Sequence, residues 1–362
     1  MWVVCARVPA LAQSTRVTKL TKALTEWGLR HVIWRSHSVV REEHEDGGIP
    51  IDSYPGSRRL PKFLRYIVWM FVVSLRCRKQ PPGTCFWCVG FESALPIAFF
   101  IRKDQRFVFD NNDNFSKSHR FPAWVAKVVG RLERVIARRA DLHVIPGADR
   151  WDGSAPNLRV IPNVPSSRAL LAARRIADER GYRRPDDATI YVCGWLTATR
   201  GLTQLGYALD EIRRRGVRVV VVAAGAAETE EARSFISRDE VDYLGVISNE
   251  ESIATCYRVT AMLTYYDPAV EINLIAEPNK WGDCLSTATP FICNQEILTS
   301  VRYVDSGLCY RCPYDDVIAL AETICVIARS HRFTPKEDLC EGSKGEGWEA
   351  LIHRALVESR LL

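Results

Sequence analysis

The sequence predicts an α/β protein made of two successive domains, each built around a parallel β-sheet. Short apolar runs alternate with amphipathic helical segments, which is typical of βαβ units. The chain has 362 residues, a length that predicts about two or three domains. The alternation is interrupted near the middle by a polar, arginine-rich segment at 168–184, which separates the two series.

The first βαβ unit lies at the N-terminus. An apolar run at 2–5 precedes an amphipathic helix at 16–27, and Gly28 suits the C-cap of that helix. A second short strand follows at 31–34. Further strands of this first domain are predicted at 85–89, 107–109, 142–145 and 159–163, with a helix at 123–140.

The second series begins at residue 189. Strands are predicted at 189–193, 217–223, 241–244, 261–265 and 290–293, with helices near 202–214, 229–237, 249–258, 280–288 and 314–329. We therefore predict Rossmann-like domains at 1–165 and 185–345 that face an interdomain cleft, because ligands of such sheets bind beyond the carboxyl ends of the strands. A last helix is predicted at 348–362.

Composition excludes several protein classes. With 47% hydrophobic and 25% charged residues the chain is neither disordered, collagen-like nor a coiled coil. Residues 1–150 carry 25 Lys and Arg against 13 Asp and Glu, whereas the remainder carries 24 against 30. The basic half predicts phosphate, an anionic membrane surface or nucleic acid as its partner. No nucleic-acid signature accompanies the basic residues, so we predict no nucleic-acid partner.

The chain is expected to be cytoplasmic. Its longest charge-free apolar run, 66–75, is about half as long as a membrane span, and the apolar start is too short for a signal peptide. The twelve cysteines are then most simply reduced thiols. Segment 58–79 is basic at both ends: it is either a patch that contacts the inner face of the cytoplasmic membrane, or a helix buried on most sides.

Two Cys-x-x-Cys pairs, Cys85/Cys88 and Cys309/Cys312, raise the question of zinc. Cys85 and Cys88 fall in a predicted strand, where side chains at this spacing point to opposite faces. We therefore predict no metal site and no resident cofactor.

Two segments of the second half point to an anion. Gly194 ends a strand, and Arg200-Gly201 opens the next helix; glycine allows close approach of the backbone, and the arginine is a forked phosphate donor. Further on, Pro278 and Asn279 suit a helix start, with Asn279 as its cap. Lys280 then lies in the first turn, which is unfavourable unless an anion binds there. Asp283, three residues on, projects to the same side and suits ribose hydroxyls.

These segments resemble those of GT-B glycosyltransferases, most closely the GT4-like retaining enzymes (glycosyl transferases group 1). The order 159–164 (RVIPNV), 194–202 with Arg200 in the cationic position, 241–245 (VDYLG) and 279–283 (NKWGD) matches the family pattern. The resemblance implies a retaining hexosyltransferase of polysaccharide biosynthesis. Its donor is a nucleoside-diphosphate sugar, its acceptor is a glycan or a lipid-linked sugar, and no protein-bound metal is needed.

The resemblance also assigns site residues. Donor binding falls to the second domain, with Arg200 and Lys280 on the diphosphate; the expected donor-binding residues are Gly194, Arg200, Glu277, Asn279, Lys280 and Asp283. Acceptor binding falls to the first domain, where Asp113 and His119 are the candidate catalytic residues. The final helix at 348–362 resembles the element that crosses back onto the first domain.

The sequence departs from the family at one important position. Many members carry two glutamates eight residues apart in the donor site; Asp283 occupies the second position, but Ile275 stands in the first. Glu277 is close but out of register. Two alternatives therefore stay open: a GT-B-fold sugar-nucleotide epimerase, and a non-catalytic homologue that binds nucleotide sugars.

Overall fold

The computed structural model describes residues 2–7, 15–35, 49–50, 61–118, 121–185, 187–329 and 347–362. Contacts within the chain divide it into two units. The first unit contains residues 1–162 together with 348–362, and the second contains residues 163–347. The final helix is therefore part of the first unit.

The first unit is a parallel sheet covered by helices. Its elements are β1 (Trp2–Arg7), α1 (Thr15–Glu26), β2 (Arg30–Arg35), β3 (Ile49–Pro50), α2 (Lys62–Lys79), β4 (Cys85–Val89), α3 (Phe91–Phe100), β5 (Arg106–Asp110), α4 (Phe115–Ser118), α5 (Ala123–Arg139), β6 (Leu142–Ile145) and β7 (Leu158–Val160). In the described part the strand order is β3-β2-β1-β4-β5-β6-β7, and every pair is parallel.

Helices α2, α3 and α5 form one layer on this sheet. The chain steps in one direction from β1 to β2 and in the other from β4 to β6, so right-handed crossovers place α1 on the opposite face from α3 and α5. Strand side chains alternate accordingly: Val4 and Ala6 pack toward α2, α3 and α5 in one buried cluster. Trp69, Ile97 and Ile136 are the helical members of that cluster.

A buried ion pair lies on the face of the sheet that carries α1. Arg16 Nε donates to both carboxylate oxygens of Asp110, at 2.8 and 3.0 Å, and Trp87 Nε1 donates to Asp110 Oδ2 at 3.1 Å. The last helix, α13 (Trp348–Glu358), adds Trp348, whose ring lies 5.7 Å from the Arg16 guanidinium. This cluster joins β4, β5, α1 and α13.

His143 of β6 is buried between two aromatic rings. It stacks on Phe109, with ring centroids 5.2 Å apart, and meets the Trp151 ring edge-on at 4.5 Å. Neither ring nitrogen has a hydrogen-bond partner among the described residues. Burial therefore lowers the pKa of His143 to about 4.

Acid is accordingly expected to destabilise the first unit through His143. Because the pKa is lower in the folded chain than in the unfolded one, the unfolded state binds the proton first, and stability falls as the pH drops below about 6.5. The loss should reach about 2 kcal/mol between pH 8 and pH 5. Urea unfolding of wild type and His143→Phe at both pH values measures it. The variant should lose less stability, and an equal loss in both proteins would contradict the assignment.

The second unit is a smaller parallel sheet. Its elements are α6 (Ser167–Glu179), β8 (Ala188–Trp195), α7 (Leu202–Arg214), β9 (Val219–Ala226), α8 (Glu230–Ile236), β10 (Val241–Tyr243), α9 (Asn249–Thr255), β11 (Ala261–Thr264), α10 (Glu271–Leu274), α11 (Asn279–Ser286), β12 (Phe291–Asn294), β13 (Cys309–Cys312) and α12 (Val317–Arg329). The described strands run parallel in the order β10-β9-β8-β11-β12-β13. The core lies on both faces of this sheet.

The start of the second domain at residue 185 is corrected by the structure. Contacts place the boundary between residues 162 and 163, because the polar segment contains α6. Ala169, Ala173 and Ala177 form one face of this helix and pack against Ile253 and Ala254 of α9. The segment that the sequence suggests is a linker is therefore a helix of the second unit, because its alanine face packs against α9.

The two Cys-x-x-Cys pairs lie within strands β4 and β13. Cys309 and Cys312 belong to different buried clusters, on opposite faces of the second sheet. Over the described ranges, no group of three or more His, Cys, Asp or Glu side chains is placed to hold a metal ion. Nor does any helix of these ranges reach the length and apolarity that a membrane span requires.

Candidate functional site

The candidate donor site lies at the carboxyl ends of β8 and β11, which are neighbours in the second sheet. Gly194 is the penultimate residue of β8 and has a φ of +96°, a conformation that favours glycine. It pairs with Gly225 of β9, where an added Cβ would lie 1.8 Å from the Gly194 carbonyl oxygen. The two glycines let the ends of these strands pack closely.

Lys280 is brought to this strand end by the first turn of α11. Its ammonium group donates a hydrogen bond to the Cys193 carbonyl. A Cβ at Gly194 would lie 3.4 Å from Lys280 Nζ, so the glycine leaves room for the lysine side chain. Gly194 and Lys280 are therefore in contact, although they are distant in sequence.

Arg200 approaches the same edge of the sheet from the loop after β8. It ends a short 3-10 turn, Ala198–Arg200, and Gly201 then caps α7 with a φ of +78°. A Cβ at Gly201 would lie 2.4 Å from Tyr265 Cβ, so the loop packs tightly against the residues that follow β11. The Arg200 guanidinium lies over the Tyr266 ring, 4.2 Å from its centroid. This cation–π contact orients the arginine.

Neither cation has a carboxylate partner in the described part of the chain. Among the residues that the structure describes, no Asp or Glu oxygen lies within 4.0 Å of the Arg200 or Lys280 charged nitrogens. Other exposed arginines of this unit form ion pairs, such as Arg213 with Glu240. Two half-buried cations at the binding edge of a parallel sheet thus retain their capacity for an anion.

Asp283 lies one turn after Lys280 on α11, and the charges of both act on the Cys193 thiol. Burial raises the pKa of the Cys193 thiol; the Lys280 charge opposes this rise, and the Asp283 carboxylate adds to it. The pairing of this cation and this carboxylate on one side of the helix stays a prediction.

The predicted capping role of Asn279 is wrong. Pro278 occupies the N-cap, and its ring restricts its own φ. Asn279 is therefore the first residue inside the helix and does not cap it. Asn279 Oδ1 is buried and has no hydrogen-bond partner in the described part of the chain. A buried acceptor of this kind needs a donor, which a bound ligand can supply.

Glu277 is held by side chains that follow β12. It is only 4% exposed, its Oε1 lies 3.1 Å from Arg302 Nη2, and its Oε2 accepts a hydrogen bond from Tyr303 at 3.1 Å. Burial and the nearby Glu277 charge raise the pKa of Tyr303. These contacts fix the loop before α11, so the geometry gives Glu277 a role in positioning that loop.

Asn163 secures the same loop from the other side. Its Nδ2 donates to the Glu277 carbonyl oxygen at 2.6 Å. A Cβ at Gly282 would lie 2.1 Å from the Asn163 carbonyl oxygen, so only glycine lets the 163–164 backbone lie against α11. Lys280 is thereby carried by a helix whose start is fixed on two sides.

In the first unit, Asp113 lies in the turn after β5. Its side chain is 65% exposed, and its Oδ1 accepts a hydrogen bond of 2.6 Å from the buried Arg150. The carboxylate is thus presented to solvent on a fixed support at the carboxyl end of a strand. His119, the other candidate catalytic residue, lies outside the described residues.

Sequence reasoning missed Tyr266, Arg302 and Tyr303. Tyr266 lies just after the carboxyl end of a buried strand, and this position alone could have indicated a role in the site. Asn163 was noted only as part of a motif. Arg302 and Tyr303 come from a region whose 3-10 conformation, Leu298–Ser306, has no strong sequence pattern.

No protein-family model and no curated protein matches the chain. Solved structures do match it over nearly its whole length. Sucrose-phosphate synthase from Thermosynechococcus elongatus is 16% identical with a TM-score of 0.67, covering 99% of this chain and 98% of that one. A UDP-forming α,α-trehalose-phosphate synthase from Burkholderia xenovorans, solved with glucose-6-phosphate, is 10% identical with a TM-score of 0.65, covering 99% of each chain.

The α,α-trehalose 6-phosphate synthase from Burkholderia multivorans gives a TM-score of 0.64 at 11% identity, covering 99% of this chain and 98% of that one. The chain has the GT-B fold. At these identities the likeness establishes the architecture of two parallel-sheet domains, and the prediction of that fold class is confirmed.

Proposed function

We propose that this GT-B protein is a glycosyltransferase that moves a sugar from a nucleoside-diphosphate sugar to a glycan or a lipid-linked acceptor, with retention of anomeric configuration. One observation carries the proposal: Arg200 and Lys280, both without a carboxylate partner among the described residues, lie at the carboxyl edge of β8 and β11. The solved structures that share the fold are named as synthases of sugar phosphates, which supports the same class of reaction.

The proposed roles follow from where charge develops. The bond between the anomeric carbon and the diphosphate oxygen breaks, a bond to the acceptor oxygen forms, and the acceptor hydroxyl loses its proton. Negative charge grows on the leaving diphosphate, so Arg200 and Lys280 would stabilise the transition state more than the ground state. Asp283 would bind the ribose hydroxyls, and no resident metal or cofactor is included in the proposal.

Asp113 is the proposed acceptor-binding carboxylate of the first unit. Its support by Arg150 gives it a defined position, which orienting a hydroxyl requires. One structural neighbour binds glucose-6-phosphate, so a sugar phosphate joins glycans and lipid-linked sugars among the acceptors to be tested. We also propose that the protein resembles GT4 enzymes in binding its donor with residues of α11. We propose further that it works in the cytoplasm at the inner face of the membrane.

A thermal-shift screen of nucleoside diphosphates tests the proposal. UDP comes first because two of the neighbours are named as UDP-forming, followed by GDP, ADP and CDP. At a concentration of 100 times the Kd, the ligand should add about 2.7 kcal/mol to stability, which raises Tm by several degrees. Uridine and inorganic phosphate are the controls. If no nucleoside diphosphate shifts Tm beyond inorganic phosphate, the proposal is wrong.

Ile275 keeps two alternatives open. This position, where many GT4 enzymes carry a glutamate, lies at the end of α10 and has no carboxylate to offer. A homologue that binds the nucleotide sugar without transferring it, or a sugar-nucleotide epimerase, would also bind UDP. Incubation with UDP-sugars separates the three, because an epimerase isomerises the donor without acceptor, a transferase needs an acceptor, and a non-catalytic homologue does neither.

A further inference from the structure

Helices α2, α3 and α5 leave large apolar side chains exposed on the side away from the sheet. We call this surface the outer helical face. Phe71 is 64% exposed and Trp124 is 72% exposed. The other exposed apolar members are Leu64, Ile67 and Leu75 of α2, Phe99 and Phe100 of α3, and Val128 and Val135 of α5.

On α2 these side chains form a stripe. Leu64, Ile67, Phe71 and Leu75 recur at spacings of three and four residues, so they lie along one side of the helix. The opposite side, with Trp69, Val73 and Cys77, is fully buried against the sheet. The expectation that this helix is buried on most sides is therefore wrong. Helix α2 has apolar side chains on two sides, and only one of these sides is buried against the sheet.

Positive charge surrounds the stripe. The sequence of α2 contains five Lys or Arg and no acidic residue, and that of α5 contains five against a single glutamate. That glutamate, Glu133, is buried and accepts hydrogen bonds from Phe115 N and Ser116 Oγ. The outward charge of α5 is therefore entirely positive.

The cations and the aromatic rings are interleaved. The Arg78 guanidinium of α2 lies 6.0 Å from the Phe100 ring centroid, and that of Arg139 in α5 lies 5.1 Å from the Phe99 ring centroid. These contacts join the three helices into one surface. None of Arg76, Arg78, Lys79, Lys127, Arg131, Arg138 and Arg139 forms an ion pair with another described residue.

We infer that the outer helical face binds an anionic lipid bilayer in the plane of its surface. Apolar side chains of helices that lie on a membrane enter the boundary between headgroups and acyl chains, and basic side chains beside them contact anionic headgroups. The face supplies both, and its helices lie parallel to it. No described helix can cross a membrane, which agrees with surface binding.

Charge favours the lipid over a second copy of the chain. A symmetric dimer through this face would bring two sets of like charges together, and their repulsion opposes association. Anionic headgroups neutralise the same charges. The inference does not depend on nucleotide binding, which is assigned to the second unit.

Vesicle flotation tests the inference. We expect the full chain to float with phosphatidylcholine vesicles that contain about a third phosphatidylglycerol, not with phosphatidylcholine alone, and to be released by high salt because surface charges are then screened. Phe71→Ser combined with Trp124→Ser should reduce the bound fraction about tenfold or more. Arg131→Glu combined with Arg138→Glu should abolish binding at moderate salt.

Matched controls come from the second unit. Leu171 is 70% exposed, and Leu171→Ser should leave flotation unchanged. Arg175→Glu combined with Arg218→Glu makes the same change in net charge away from the face and should retain binding. All variants should keep the wild-type response to nucleoside diphosphates, so that failure of either proposal is recognised separately.

Two results would overturn the inference. The first is no binding of the folded wild type to the anionic vesicles at low salt. The second is a wild-type dimer in light scattering that Phe71→Ser with Trp124→Ser converts to a monomer, because the face would then be covered by a second copy.

Discussion

Lys280→Ala and Arg200→Ala are each expected to weaken binding of the nucleoside diphosphate by about 1.5–3 kcal/mol, or roughly 10- to 150-fold in Kd, as for a charge-assisted hydrogen bond to phosphate. Both side chains sit at the carboxyl edge of the sheet without a carboxylate partner among the described residues. Because neither substitution breaks an ion pair with another described residue, the change in affinity reports on contacts with the ligand. Isothermal titration with the nucleotide identified by the screen measures it.

Arg218→Ala is the matched control for these two variants. Arg218 is exposed just before β9, at the amino end of the strands and therefore at the opposite edge of the sheet. Its removal changes the net charge equally and should alter Kd less than twofold, as expected for a distant, screened charge. If Arg200→Ala and Lys280→Ala both bind as the control does, the two cations do not hold the diphosphate.

The Arg200 variant has a second readout. Because Arg200 lies over Tyr266, Tyr266→Leu should loosen the guanidinium and weaken binding by less than loss of the arginine itself, about 0.5–1 kcal/mol. A Tyr266→Phe variant retains the ring face and should bind like wild type. Weakening by Tyr266→Phe equal to that by Tyr266→Leu would show that the hydroxyl, not the cation–π contact, matters.

Much of the fold was readable because its signals are local. Gly28 follows the end of α1, Gly201 precedes the start of α7, and buried strands such as β4 and β9 appear as continuous apolar runs. The prediction of a linker at 168–184 is wrong because the signal of α6 is weak: the buried face of this helix carries only alanines. Its packing partners on α9 lie about 80 residues further along the chain, where a local pattern cannot show them.

The candidate site was readable in part. Gly194 and Lys280 were named from local patterns, and the structure brings them into contact. The ties that fix Lys280, from Asn163 to Glu277 and from Glu277 to Arg302, join residues far apart in sequence. No periodicity or capping rule encodes such pairs, because they exist only once the sheet has placed the loops together.

Asp110→Asn is expected to lower the free energy of unfolding of the first unit by about 3–5 kcal/mol, the cost of breaking a buried ion pair on one side. Asp110 is completely buried and Arg16 is only 4% exposed. The amide would keep the shape of the side chain and could still accept from Trp87 Nε1, but it could not neutralise Arg16. The charged guanidinium would remain buried while the opposite charge of Asp110 is lost.

A double replacement shows whether the lost stability of Asp110→Asn comes from the broken ion pair or from disturbed packing at this position. Arg16→Met combined with Asp110→Leu removes both charges at similar volume and should recover most of the lost stability, because the desolvation cost disappears with the pair. Urea unfolding gives the energies, and hydrogen exchange should localise the Asp110→Asn loss to β1, β4 and β5 while α11 stays protected. The second unit has its own core, so nucleotide binding by Lys280 should survive in Asp110→Asn at temperatures where the first unit is still folded. If the double variant is as unstable as Asp110→Asn, the loss comes from packing around Trp87 and Trp348, and the broken Arg16–Asp110 ion pair is not its cause.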